Sequence, residues 1–178
     1  MSTRLPLIDP DHADGAVKQT LDELAKRGPL GPMMRGMANS SALLRGYLEL
    51  TRAMKRSHLD RRVSERVSLA VQEWVGCDYC LAAHTEAARS LGLTESDIEL
   101  ARQGTATNAK IAALVAFAQQ IAAAPSEVSD EQVAELRELG WRDEQIADVV
   151  GLVALNVLTG SFNLVAGIHS TTPARSAA

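Results

Sequence analysis

Aromatic residues are scarce: six of 178 positions are Phe, Trp or Tyr, 3% of the chain. The apolar share of 46% is carried mainly by Ala, Leu and Val. Sheets draw on β-branched and aromatic side chains, so this composition points to closely packed helices. No segment alternates apolar and polar residues beside hairpin turn chemistry, which excludes a hairpin-built fold. No basic patch carries interleaved aromatics. The net charge of −4 is spread along the chain, so nucleic-acid partners are not expected. A nucleotide-binding glycine fingerprint is also missing, and no bound NAD or flavin is expected. Cysteine is nearly absent, with Cys77 and Cys80 alone. A stapled secreted fold carries more cysteines at wider spacing. The N-terminal stretch MSTRLPLIDPDHADG lacks the long apolar run of a signal peptide. These absences together predict a reducing, cytoplasmic compartment. There a CxxC serves a metal or a redox reaction more often than a structural staple.

One run lacks charge altogether. From 149 to 170, VVGLVALNVLTGSFNLVAGIHS has no Asp, Glu, Lys or Arg. Its length is in the transmembrane range. Asn156, Thr159, Ser161, Asn163 and three glycines interrupt it, and no aromatic belt flanks it. We expect a core or subunit-interface helix and no membrane partner.

What is present is helical periodicity. Val17, Leu21 and Leu24 share a face in a first helix over 11–27, closed by Gly28-Pro29. The stretch 28–41, with Met33, Met34 and Met37, reads as the longest irregular segment. Its methionines would plug gaps in a core or rim a pocket. A second helix is predicted over 40–56. Asp60 should cap a third, running to about Val75, with Val63, Val67, Ala70, Val71 and Trp74 as its apolar stripe. Further helices should end at Gly92, begin after Thr94, span 107–123, span 130–139 after Ser129, and run from Asp143 through the uncharged stretch. The expectation is an all-α bundle of short antiparallel helices. It would form one domain over 1–178, with 1–40 an extension bearing one helix and 41–168 the core. A weak echo links LGLTESDI (91–98) to LGWRDEQI (139–146), compatible with a duplicated helical hairpin or with two unrelated joints. A pocket lined by Met, Leu and Trp from the first, third and last helices is expected.

The chemistry concentrates in GCDYCLAAH, residues 76–84. With Cys77 in the first turn of a helix, Cys80 at i+3 and His84 at i+7 share one face. Two such cysteines have Cα atoms about 5 Å apart, within disulfide range. His84 is the direct i+4 neighbour of Cys80. An ordinary thiol near pKa 8.5 is only a few per cent thiolate at about pH 7; helix N-terminal amides and an imidazole favour the anion. A thiolate, a second thiol and a base are the parts for peroxide reduction. Cys77, Cys80 and His84 are equally three zinc ligands, but a fourth is lacking, since His12, His58 and His169 are scattered. Two inert buried thiols are the third reading.

Glu65 stands twelve residues before Cys77, giving E-x11-C-x2-C-x3-H at 65, 77, 80 and 84. On its helix Glu65 lies off the apolar stripe, beside Leu69 and Gln72. A surface ion pair with Arg61 or Arg62 would account for it without function. With that spacing, and with AAHTEAAR followed by GLTE, residues 60–98 resemble the AhpD-like alkylhydroperoxidase family of the carboxymuconolactone decarboxylase superfamily. A looser resemblance extends over 153–166. It implies an all-helical subunit assembling into trimers or hexamers, and an antioxidant thiol peroxidase acting on small hydroperoxides. By position, Cys80 would be the peroxidatic thiol and Cys77 the resolving one. Glu65 and His84 would relay the proton, with Glu73 a rival acceptor one turn before Cys77. The implied reductant is an external dithiol, lipoyl or thioredoxin-like, with no metal and no bound cofactor. The chain departs from some relatives at Tyr79, where they carry histidine, and at Leu164, where Asn-His is frequent. Asp78 adds negative charge beside the thiols, which opposes thiolate formation. Two other functions are open: a non-catalytic redox- or metal-sensing module, and a decarboxylase-like lyase whose activity would survive loss of both cysteines.

Overall fold

A computed structural model describes residues 3–170, and both ends of the span expected for the domain lie outside them. The described residues contain no strand. Their helices are α1 (Gly15–Ala25), α2 (Pro32–Met37), α3 (Ser41–Met54), α4 (Arg61–Val75), α5 (Asp78–Ser90), α6 (Glu95–Arg102), α7 (Ala109–Ala123), α8 (Asp130–Glu138) and α9 (Asp143–Ala166), with 3-10 turns at Pro10–His12 and Pro125–Glu127. Side-chain oxygens of Ser40, Asp60, Thr94, Asn108 and Ser129 each accept from a backbone N–H of the first turn that follows. Thr94 and Asp97 complete a reciprocal capping box, and Arg66 adds an ion pair to Asp97 at 2.9 Å. The cap's hydrogen bonds hold the Asp97 carboxyl below the ordinary carboxylate range.

The centre of the bundle is α4, which packs against α9, α7, α5 and α6. Two faces of it are buried. Val63, Val67, Ala70 and Val71 join Leu114, Val115, Phe117 and Val149 in the main core. Leu69 joins Leu81, Ala88, Leu93 and Ile98 in a second cluster. The side of α4 that carries Glu65 is therefore an interior surface and not the solvated face of a surface ion pair. The predicted stripe is also one residue too long, since Trp74 is 49% exposed. The 3.6-residue pattern gives the stripe's direction but not where its covering helix stops.

Two further expectations change. The stretch 28–41 contains α2, six residues long, which starts at Pro32 after Gly31. Proline at the first helical position sacrifices no internal hydrogen bond, so a Gly/Pro-rich stretch still nucleated a turn and a half. The N-terminal extension thus carries two helices, not one. It packs through Leu21, Met37 and Ala38 against Leu44 of α3, with Phe162 of α9 alongside. The echo at 91–98 and 139–146 is a shared helix ending. Leu93 N–H bonds to Ala88 C=O and Trp141 N–H to Leu136 C=O, each around a left-handed glycine. Cys77 N–H closes on Gln72 C=O in the same way, so the similarity carries no evidence of duplication.

The longest helix, α9, has 24 residues and by length and composition could cross a membrane; 33% of its apolar window is buried. Asn156 and Thr159 of α9 face α4. Gln72 of α4 donates to the Asn156 carbonyl (2.9 Å), to Asn156 Oδ1 (3.0 Å) and to Thr159 Oγ1 (3.3 Å), and Asn156 donates to Ser68 Oγ (3.1 Å). The helices approach this closely because residue 160 is glycine. A Cβ there would stand 2.6 Å from Gln72 Oε1 and 2.7 Å from a Val75 methyl. Gly160→Ala should therefore lower stability by about 1–3 kcal/mol in urea unfolding. An unchanged midpoint would show that α9 has room to shift.

Candidate active site

The turn between α4 and α5 is made by Gly76 at φ +79°, a conformation that side-chain-bearing residues rarely adopt. Cys77 follows as the N-cap of α5, one position outside the helix where the sequence placed it in the first turn. Its Sγ accepts from Cys80 N–H at 3.3 Å. Cys80 lies in the first turn. The two are joined as a disulfide with Cα atoms 5.3 Å apart, near the spacing expected for helical i, i+3 residues. Both sulfurs thus sit at the positive end of a 13-residue helix, which favours a thiolate once the bond is reduced.

The cysteines are not equivalent. Both are buried, but Cys80 lines a cavity of about 570 Å³ and Cys77 does not. Walls come from α2, α3, α4, α5 and α9. Met33, Met54, Leu59, Leu152 and Leu155 give it an apolar side. The expectation of methionine and leucine holds, but α1 contributes nothing. Neither does tryptophan: Trp74 is exposed, and Trp141 is in the core, donating to Lys110 C=O. Met33 lines the cavity while Met37 is fully buried, so the methionines divide between the two roles. Tyr79 lines the cavity with Tyr47. Burial raises the pKa of both phenols, which therefore stay neutral donors at physiological pH.

Glu65 and His84 meet across α4 and α5. His84 Nδ1 lies 2.7 Å from Glu65 Oε2, on side chains 28% and 16% exposed. A carboxylate at Nδ1 favours the tautomer with its proton there, which leaves Nε2 as the basic nitrogen. Both residues line the same cavity as Cys80. Glu73 does not line it and is held by Arg102, Nε to Oε2 at 2.9 Å. His58 pairs with Asp148, and His12 with Asp9. Among the described residues no group of three or more His, Cys, Asp or Glu is arranged to hold a metal ion.

One participant was not singled out from the sequence. Asn163 of α9 is fully buried, lines the cavity, and its Nδ2 donates to Cys80 Sγ at 3.2 Å. Its Oδ1 is buried without a partner. The residue is 83 positions from Cys80. Only its place in an Asn-bearing uncharged helix hinted at a polar task.

A dithiol–disulfide pair thus stands at a helix N-terminus, beside a carboxylate–imidazole pair and inside an all-helical bundle. Residues 41–124 match the carboxymuconolactone decarboxylase family. Solved structures agree on the fold. An uncharacterized peroxidase-related protein with an alkylhydroperoxidase AhpD core, from Ralstonia eutropha, is 20% identical with a TM-score of 0.82, over 95% of this chain and 92% of that one. An uncharacterized peroxidase-related protein from Silicibacter is 21% identical with a TM-score of 0.77, over 92% and 88%. A protein of unknown function from Agrobacterium tumefaciens, provisionally named an antioxidant defence protein AhpD, is 20% identical with a TM-score of 0.65, over 75% and 94%. A comparison with curated proteins gives no match.

Hydrogen bonds to a charged group are worth about 1.5–3 kcal/mol, and one pKa unit is about 1.4 kcal/mol. Replacing Asn163 by Leu should therefore raise the Cys80 thiol pKa by roughly one to two units. Thiolate absorbance against pH, in a Cys77→Ser background so that one thiol titrates, measures it. An unmoved titration would mean that the amide does not serve the sulfur anion.

Proposed function

We propose that the chain is a cytoplasmic thiol peroxidase that reduces small hydroperoxides through a Cys80/Cys77 dithiol–disulfide cycle. The observation that carries this reading is the asymmetry of the pair. Cys80 lines the cavity with the Glu65–His84 pair and accepts from the Asn163 amide, while Cys77 does not line it.

The steps follow from that geometry. In the reduced protein His84, oriented by Glu65, takes the proton of the Cys80 thiol. The thiolate attacks the terminal peroxide oxygen, an S–O bond forms and the O–O bond breaks. The departing alkoxide takes the proton back from His84 and leaves as an alcohol. Cys80 is now a sulfenic acid. The Cys77 sulfur displaces its oxygen as water and the disulfide forms. An external dithiol, of the lipoyl or thioredoxin-like class, then attacks the disulfide and restores both thiols while being oxidised itself. Hydroperoxide plus dithiol become alcohol, water and disulfide. No metal or bound cofactor enters.

We also place the chain in this reading as a single domain that works as a homo-oligomer. The outer face of α9 supports an assembly. Ala147, Val150, Ala154, Ser161 and Val165 are exposed at helical spacing and carry no charge.

Reduced wild type should consume one peroxide per chain and lose two thiols. Cys80→Ser should do neither, and Cys77→Ser should consume peroxide once without forming the disulfide. Glu65→Gln and His84→Gln should slow peroxide attack by roughly 10²-fold while leaving the fold intact by circular dichroism. If wild type keeps both thiols at millimolar peroxide, the peroxidase reading is wrong. If Glu65→Gln equals wild type at every pH, the relay is wrong.

A further inference from the structure

The cavity is far larger than the smallest peroxide needs. Hydrogen peroxide would take up roughly the liquid volume of two waters, about 60 Å³, against about 570 Å³. Its lining is also polarised. Lys55 lines it from the end of α3 and Arg61 from the first residue of α4, both exposed, and neither is paired with a described acidic side chain. Asp148, the acidic group closest in role at the α3–α4 connection, is engaged by the His58 ring and His58 N–H. Asp60 turns to cap α4 at Arg62 N–H. Glu65 is the one carboxylate in the cavity wall, and it is committed to His84. The two tyrosines are neutral. Two cations thus face the cavity with no anion of their own.

Their position relative to the sulfur can be read from the helices. The α4–α5 pair is antiparallel: Arg62 reaches Leu91 C=O, and Glu65 reaches His84. From the Glu65–His84 contact, Arg61 lies one turn toward one end, on α4. Cys80 lies one turn toward the other, on α5. At 1.5 Å per residue, the two are separated by about 12 Å along the axes. The same cavity has an apolar side made by Met33, Met54, Leu59, Leu152 and Leu155.

We propose that Arg61 and Lys55 form an anion-recognition end of this cavity, which selects amphipathic monocarboxylates with an apolar chain of medium length. Resting on the peroxidase reading, the substrates are hydroperoxides of such acids. The carboxylate pairs with Arg61 and Lys55, the chain lies along the methionine and leucine side, and the peroxide oxygens reach Cys80. Fork-shaped guanidinium geometry suits a carboxylate at Arg61, with Lys55 as a point charge beside it.

The probe is decanoate against decan-1-ol, titrated calorimetrically into the reduced protein. Decanoate should bind wild type at least several-fold tighter than the alcohol, and the difference should shrink as salt rises. Arg61→Gln and Lys55→Gln should each weaken decanoate by about 3- to 10-fold and leave the alcohol's affinity where it was. Equal affinity for acid and alcohol, decanoate binding indifferent to both substitutions, or no binding of either would overturn the proposal. Turnover separates this from the reading beneath it. The ratio of kcat/KM for a carboxylated over a neutral hydroperoxide should fall several-fold in Arg61→Gln. A wild type with no decanoate preference but intact turnover of neutral hydroperoxide overturns the anion end alone. A decanoate preference that both substitutions abolish, in a protein with no peroxide turnover, supports the anion end and overturns the peroxidase reading.

Discussion

The buried amide of Gln72 ties α4 to α9, and the site depends on that junction. Its Nε2 is shared among three oxygens of α9, within reach only because Gly160 removes a side chain from the contact. The close approach has a cost: Gln72 Oε1 is left buried without a partner, a penalty of about 1–3 kcal/mol. What it secures is register. Asn156 and Asn163 are seven residues apart on α9, two turns, and so lie on nearly the same face. Fixing Asn156 against Gln72 and Ser68 thereby sets Asn163 over Cys80. A one-residue slip of α9 would turn its amides away from the sulfur.

In the proposed cycle the two cysteines take different roles from position in a helix, not from their own chemistry. Cys77, as N-cap, points its sulfur back toward the first-turn N–H groups and is buried. Cys80, inside the first turn, points to the cavity with a donor above it and a base one turn on. In the proposed cycle the sulfur that lines the cavity meets the peroxide, and the other closes the disulfide. This order is the reverse of a CxxC in which the first, more exposed cysteine attacks.

Local features of the fold were legible because their causes are local. The caps at Asp60, Thr94 and Ser129, the glycine endings and the helix spacing of 65, 77, 80 and 84 all act within a few residues. Glu65 was recognisable by that spacing, although its helix face alone suggested a solvent ion pair; the face is interior because α5 folds back over it at Gly76. Trp74 shows the opposite failure. It continues the apolar periodicity past the end of the cover, and periodicity has no information about where a neighbouring helix stops. Helix α2 was hidden by glycine and proline, residues that break helices in the middle but not at the first position. For Asn163 the sequence offered only its place in an Asn-bearing uncharged helix. Its contact with Cys80 spans 83 residues and depends on how two helices cross, which no short pattern encodes.

The order of attack is the centre of the account, and chemical trapping reads it directly. Reduced Cys77→Ser and Cys80→Ser proteins would each be given one equivalent of an organic hydroperoxide in the presence of a sulfenic-acid-specific nucleophile such as dimedone, and the adduct located by peptide mass spectrometry. The account predicts an adduct on Cys80 in Cys77→Ser and none on Cys77 in Cys80→Ser. An adduct formed as readily on Cys77, or on neither sulfur, would contradict it.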